Sequence, residues 1–119
     1  MSKLIITKNI VIPGKHHKPI LVDVFCAENE GRQPIIIFCH GYKGFKDWGP
    51  WNAVAETLAE HGIFCIKMNF SHNGVDPEDL SDITDAETFG RNTLSVELED
   101  LNLLLNWLCG DNEIYRPYI

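Results

Sequence analysis

Apolar residues near the start of the chain fall into short runs typical of β-strands. Two such runs, KLIIT (3–7) and NIVI (9–12), are followed by a longer one, PILVDVFCA (19–27). β-Branched residues recur in all three, and Asp23 is the only charged residue of the longest run. The pattern predicts an antiparallel pair of strands over 3–27, exposed to solvent on at least one side.

The run PIIIFC (34–39) has no alternation of apolar and polar residues. A strand that is apolar on both faces is typical of the middle of a helix-covered, mainly parallel sheet. A helix is predicted over 50–61, with Pro50 in its first turn and Gly62 after its end. Its apolar stripe consists of Trp51, Val54, Ala55, Leu58 and Ala59. A further apolar run at 63–70 completes a right-handed βαβ unit.

The rest of the chain consists of a polar segment and a leucine-rich helix. Residues 71–92 are predicted to form a long loop, and residues 95–109 a helix that ends at Gly110. The leucines of the helix are Leu94, Leu98, Leu101, Leu105 and Leu108. Nine acidic residues lie between positions 76 and 100, but they lack the alternation and central glycine of an EF-hand, so a solvated loop is the better interpretation.

The composition is typical of one soluble globular domain. We interpret residues 1–119 as a single domain that lacks its last strands. The chain has 119 residues, of which 45% are hydrophobic and 23% charged. Its net charge of −7 argues against a nucleic-acid partner, and no apolar run is long enough to span a membrane. There is no leader-like segment, so we expect a cytoplasmic protein with reduced thiols.

The four cysteines give no sign of a metal or redox site. They lie at positions 26, 39, 65 and 109, and no two have C-x-x-C spacing. Three of them fall inside strand-like runs, where a free thiol behaves as a small apolar side chain. We therefore expect neither a metal nor a cofactor.

Candidate chemistry is concentrated in the segment HGYKGFKDWG (40–49). It follows a predicted buried strand and precedes a helix, and ligands of open α/β sheets bind at this edge of the sheet. A His-Gly pair there allows a tight turn whose N–H groups can stabilise a developing oxyanion. The glycine spacings that cradle a nucleotide phosphate, G-x-G-x-x-G and G-x-x-x-x-G-K-[ST], do not occur, which leaves a Rossmann-type module a distant alternative.

Three collinear blocks of the sequence make it similar to a known family. They are IIIFCHGYKGFKDWG, LAEHGIFCIKMNFSHNGV and FGRNTLSVELEDLNLLLNWL, within residues 19–109. Together they resemble the α/β-hydrolases, and most of all the dienelactone-hydrolase-like and prolyl-oligopeptidase-like serine hydrolases. The resemblance implies strand order 1-2-4-3-5, with strand 2 antiparallel to the others.

The resemblance also implies a site and a reaction. It assigns the backbone N–H of Tyr42 to the oxyanion hole, with His40 and Gly41 shaping the loop. The implied activity is hydrolysis of a carboxylic ester or related small acyl substrate. However, the nucleophile motif G-x-S-x-G is absent, and the family's acid and histidine would follow it in the chain. The sequence therefore corresponds to the N-terminal portion of such a hydrolase, and whether it acts as an enzyme alone is uncertain.

Other candidates for chemistry are better explained by ordinary structural roles. Ser71-His72 is a tempting pair, but adjacent loop residues usually point apart and no carboxylate is fixed by spacing. Cys39 is interpreted as a strand-end core thiol, and the pair His16-His17 as a turn rather than a metal site. The tryptophans are assigned to packing, with Trp48 the best candidate for a cleft wall.

Two hypotheses about function follow from these residues. In the first, the chain carries the oxyanion loop of an acyl hydrolase without a nucleophile, and is inactive alone. In the second, it is a non-catalytic fragment or subunit. The apolar strand 34–39 would then be an exposed edge that pairs with a second copy or with a C-terminal half.

Overall fold

The computed structural model describes residues 3–28, 31–112 and 114–119. It has a four-stranded sheet with helices on both faces, a small hairpin and a short third helix. The elements in chain order are β1 (Leu4–Pro13), β2 (Pro19–Ala27), β3 (Ile35–Cys39), α1 (Trp51–Glu60), β4 (Phe64–Asn69), β5 (Val75–Asp76), β6 (Asp79–Ile83), α2 (Ala86–Gly90) and α3 (Leu94–Asn106).

The main sheet has strand order β1-β2-β4-β3. β2 is antiparallel to both of its neighbours, and β3 is parallel to β4. This is the order and direction that the family resemblance implied for the first four strands. The two predicted runs at 3–7 and 9–12 form the single strand β1, whose register shifts between Thr7 and Ile10, where Asn9 has a positive φ of 60°.

β2 and β4 occupy the centre of the sheet and are buried along almost their whole length. The prediction of an exposed side therefore applies to β1 and not to β2. The apolar strand β3 lies at an edge instead of the middle, and among the described residues it pairs only with β4. Ile35 and Ile36 are consequently 40% and 41% exposed.

The helices cover opposite faces of the sheet. α1 buries Ala55 and Ala59 against Phe25 and Cys65, which places these small residues where the helix approaches the sheet closely. The other face carries the larger cluster, in which Leu104 packs with residues of β2 and β4. Burial of these apolar side chains from both helices is the main favourable contribution to folding.

The segment predicted as a long loop contains regular structure. β5 and β6 form an antiparallel hairpin, and α2 follows it. Asp85 caps α2, accepting hydrogen bonds from the backbone N–H and the hydroxyl of Thr88 at 3.1 and 2.6 Å. Polar residues form the caps and turns of this segment. It lacks the apolar periodicity on which the prediction of helices and strands depended.

α3 begins one residue earlier than predicted, because Thr93 caps it by accepting from the N–H of Val96 at 3.2 Å. Its α-helical part ends at Asn106, and one π-helical turn, Trp107–Asp111, continues it. Within the described part of the chain, no helix has the length and apolar character of a membrane span.

Candidate active-site loop

The loop after β3 is held in a tight turn. The N–H of Gly44 donates to the carbonyl of Gly41 at 2.9 Å, and Lys43 between them has a positive φ of 60°. A Cβ atom on Gly44 would lie only 2.9 Å from the Gly41 oxygen and 3.1 Å from His40. Glycine at position 44 is therefore required by space, and the turn brings Tyr42 to the carboxyl end of the strand.

Tyr42 lies at the tip of this turn. Its residue is 85% exposed, and its ring centre lies 5.6 Å from that of Phe89. The hydrogen bonds found among the described residues include none donated by the Tyr42 amide. An N–H group at the end of a parallel strand can donate to an anionic oxygen, which is the role expected of Tyr42 from its sequence position.

His40 ties the loop to the neighbouring strand end. Its Nε2 atom accepts a hydrogen bond from the N–H of Phe70 at 3.2 Å, so its Nδ1 atom, 3.0 Å from the carbonyl of Gly41, carries the proton. Burial lowers the pKa of His40 and favours this neutral form. Both ring nitrogens of His40 are thus engaged with the backbone.

A buried ion cluster supports the loop from below. Lys46 and Asp23 are fully buried, and the Lys46 Nζ atom lies 3.0 Å from the Asp23 carboxylate and 2.7 Å from that of Asp47. Lys8 reaches the same two carboxylates at 2.8 and 2.7 Å. Each buried charge therefore has an opposite charge beside it, which burial requires.

Two further side chains hold the backbone of Lys46. The Asn69 Oδ1 atom accepts from its N–H, and the Lys67 Nζ atom donates to its carbonyl, both at 2.7 Å. Lys67 also donates to Asn52 at the start of α1. Burial, with the charge of Lys8, lowers the pKa of Lys67. This cluster was not predicted from the sequence, although Asp23 and Lys67 are each a lone charge within an apolar run.

A cavity of about 260 Å³ lies beside the turn. His40, Gly41 and Tyr42 line one side of it, and Asn73 and Phe89 lie among the residues around it. The three residues predicted for the site thus share one cavity. The described residues around it include no serine or cysteine.

Ser71 and His72 do not point apart, contrary to the prediction. The Ser71 Oγ atom lies 2.7 Å from the His72 Nδ1 atom and 2.8 Å from the Asp100 carboxylate. The order of contacts differs from a catalytic triad, however, because the carboxylate binds the serine and not the histidine. The Ser71 hydroxyl donates to Asp100, so His72 must donate to Ser71 and cannot at the same time accept its proton.

The first hairpin turn reaches the same region. His16 lies 3.1 Å from the carboxylate of Glu99, and its ring centre lies 5.9 Å from that of His72. Side chains from the first hairpin turn, the turn after β4 and α3 thus converge here. No group of three or more metal-ligating side chains was found in the parts of the chain that the structure describes.

The remaining candidates occupy structural positions. Cys39 is exposed at the end of β3 and is not a core thiol. Partial desolvation and the charge of Glu97 raise the pKa of its thiol, which disfavours the nucleophilic thiolate. Trp48 is 57% exposed and lines a groove with Phe45 and Phe89, as expected of a cleft wall.

These features define the class of fold: the first four strands and the flanking helices of an α/β-hydrolase. Brefeldin A esterase, a bacterial homologue of human hormone-sensitive lipase, matches 95% of this chain with a TM-score of 0.66 and 18% identity. A candidate dienelactone hydrolase from Klebsiella pneumoniae subsp. pneumoniae MGH 78578 matches 88% with a TM-score of 0.62 and 20% identity. Both have the α/β-hydrolase fold.

The matched region is a minor part of each of these structures. This chain covers 29% of the esterase and 43% of the dienelactone hydrolase. No protein-family model and no curated protein sequence matches the chain. The comparisons therefore establish the fold.

Proposed function

We propose that this chain is the N-terminal portion of a serine hydrolase that acts on carboxylic esters or related acyl compounds. The observation that supports the proposal is that Tyr42, whose amide donates none of the hydrogen bonds found among the described residues, lines a cavity at the carboxyl end of β3. Two structural neighbours of this chain are named as an esterase and a candidate dienelactone hydrolase, which supports an acyl substrate.

In this proposal the loop supplies one donor for the tetrahedral intermediate. The carbonyl oxygen becomes negative as a nucleophile attacks, and an N–H group already fixed in position stabilises that charge. His40 and Gly41 shape the turn, while Lys46 and Asn69 fix the backbone beneath it. The nucleophile has to come from residues outside this sequence, since no G-x-S-x-G motif occurs in it.

The amide can be tested directly in the 119-residue chain. Acetate serves as a carboxylate mimic of the oxyanion, and nuclear magnetic resonance follows the backbone N–H signals. We expect the Tyr42 amide proton to move downfield and saturate. Tyr42→Phe keeps the amide and should respond in the same way, whereas Tyr42→Pro removes it. A response confined to other amides would contradict the assignment.

Hydrolysis provides the second test. The purified chain should cleave 4-nitrophenyl acetate no faster than its Tyr42→Pro variant does, because the nucleophile is missing. Turnover that requires the Tyr42 amide would show that these residues form a complete centre, and it would overturn the proposal of an inactive portion.

The open edge of β3 favours a second candidate, a non-catalytic chain that associates through its sheet. Ile35 and Ile36 are exposed on this strand, and exposed apolar edges favour pairing. The partner would be a second copy or a chain that supplies further strands.

If the partner is a second copy, sedimentation velocity should show a concentration-dependent dimer that Ile36→Lys abolishes. Ile6→Lys, on the opposite edge strand, is the matched control, and a monomer at all concentrations argues against self-pairing.

A further inference from the structure

A groove of about 470 Å³ lies next to the cavity described above. We call it the aromatic groove. Its apolar walls are Phe45 and Trp48 from the loop, and Ile83 and Phe89 from the hairpin and α2, with Lys43 and Asp82 at its rim. Its volume is within the range of small-molecule sites.

Trp48 is the most distinctive wall of the aromatic groove. Trp51 packs against Phe38 with ring centres 4.7 Å apart, and Trp107 packs against Tyr115 at 6.1 Å. Trp48, by contrast, has no ring partner among the described residues and is more than half exposed. An exposed indole in a concave apolar site is a ready stacking surface for a planar ring.

The charges at the rim favour an uncharged ligand. Lys43 carries a positive charge and Asp82 a negative one, so the rim is neutral as a whole. The Lys43 Nζ atom lies 5.7 Å from the centre of the Tyr42 ring, and Asp82 accepts from the N–H of Ile83 at 2.7 Å. Both charged groups thus already have partners.

The groove and the cavity beside Tyr42 adjoin, because Lys43 and Phe89 line both of them. We propose that the aromatic groove binds an uncharged planar aromatic ring attached to the ester whose carbonyl oxygen meets the Tyr42 amide. This inference rests on the proposed function and narrows its substrate class to aromatic esters. Stacking on Trp48 and Phe89 supplies the preference for a ring.

The test uses the three indole N–H signals of the 119-residue chain, assigned through Trp48→Phe. Methyl benzoate should shift the Trp48 signal to saturation and leave that of Trp107 in place. Methyl cyclohexanecarboxylate, which has the same carbon skeleton without a planar ring, should bind about five-fold more weakly. Phenyl acetate places the ring on the alcohol side, so comparison with methyl benzoate shows which side of the ester occupies the groove.

Substitutions locate the binding. Trp48→Leu and Phe89→Leu should each weaken methyl benzoate binding about five-fold, with the Tyr42 amide signal as the readout where the Trp48 indole is absent. Leu98→Ala, an exposed position on α3 outside the groove, should leave it unchanged. Equal binding of the aromatic and cyclohexyl esters, or shifts confined to Trp51 and Trp107, would overturn the inference.

The two proposals fail separately. A saturable response of Trp48 without a response of the Tyr42 amide would keep the aromatic groove and contradict the oxyanion role. A response of the Tyr42 amide without one from Trp48 would keep the oxyanion role and contradict the aromatic groove.

Discussion

Asp100 of α3 accepts two hydrogen bonds from Ser71, one from its backbone N–H at 2.7 Å and one from its hydroxyl at 2.8 Å. Both bonds end on the same carboxylate oxygen, and both residues are buried. Burial raises the pKa of Asp100, which shows that the two bonds only partly offset the loss of water. The pair joins the helix to the turn that follows β4.

Removing this acceptor should destabilise the fold. In Asp100→Ala, both donors of Ser71 lose their partner inside the protein, and we expect a loss of about 2–4 kcal/mol in the free energy of unfolding. Asp100→Asn keeps one acceptor oxygen and should cost about 1 kcal/mol or less. Urea unfolding followed by circular dichroism measures both, with the exposed Asn102→Ala as the control. Equal losses for the Ala and Asn variants would contradict this account.

The second prediction concerns Lys46, for which the exposed Lys43 of the same loop is a matched control. Lys46→Met leaves the buried Asp23 without its closest buried cation, and we expect a loss of about 3 kcal/mol or more. Lys43→Met is the matched control, since Lys43 is exposed and should change stability little. If the two variants had the same unfolding free energy, the ion cluster would not stabilise the loop.

His40 should make stability depend on pH. Burial lowers its pKa below the ordinary value of 6.5, so below pH 6.5 the unfolded chain binds a proton more readily than the folded protein does. The contribution of neutral His40 to the free energy of unfolding is complete above pH 6.5, and it is lost as the pH falls towards the pKa of the folded state. The largest slope for one group is about 1.4 kcal/mol per pH unit.

The substitution that isolates this effect is His40→Gln, which retains an acceptor for the N–H of Phe70 but cannot titrate. The measurement is urea unfolding between pH 5 and 7.5, a range of about one to two units around the ordinary pKa. The free energy of unfolding should decline less steeply with falling pH in this variant. His61→Gln, at an exposed position, tests whether the effect belongs to position 40. An unchanged slope in His40→Gln would refute the assignment.

Gly74 and Gly62 differ in the space around them, although both have a positive φ. A Cβ atom at Gly74 would lie 2.8 Å from a methyl carbon of Ile83 and 2.9 Å from the Cβ atom of Phe89, whereas Gly62 has open space. Gly62→Ala should therefore cost about 1 kcal/mol, and Gly74→Ala about 2–3 kcal/mol. Thermal unfolding compares them; a smaller loss for Gly74→Ala would mean that the hairpin moves freely.

Most of the sheet and its flanking helices could be predicted from the sequence. The apolar runs at 34–39 and 63–70 and the stripe of α1 lie within one or two residues of the observed elements. The edge position of β3 could not be inferred from its apolar run alone. Such a run indicates that the strand is buried, but it does not indicate which chain segment covers it. The family resemblance supplied the strand order that the run could not.

Long-range polar contacts account for much of what the sequence left open. Lys43 and Lys46 look equivalent in HGYKGFKDWG, and it is partners far away in the chain, such as Asp23, that distinguish the buried lysine. Asp100 gave a usable signal, since it lies four residues before Leu104 on the buried face of α3. The leucine pattern pointed to a face that includes Leu94 and Leu98, which the structure leaves exposed.

The burial of Lys46 and Lys67 has a consequence for chemical labelling. Five of the seven lysines are exposed, and four of them, all except Lys8 of the ion cluster, should react readily with an amine reagent. The two buried amines can react only after the loop at 40–49 separates from the sheet. Their acetylation, resolved by mass spectrometry, therefore records how often that loop opens in the native protein, independently of any ligand or activity.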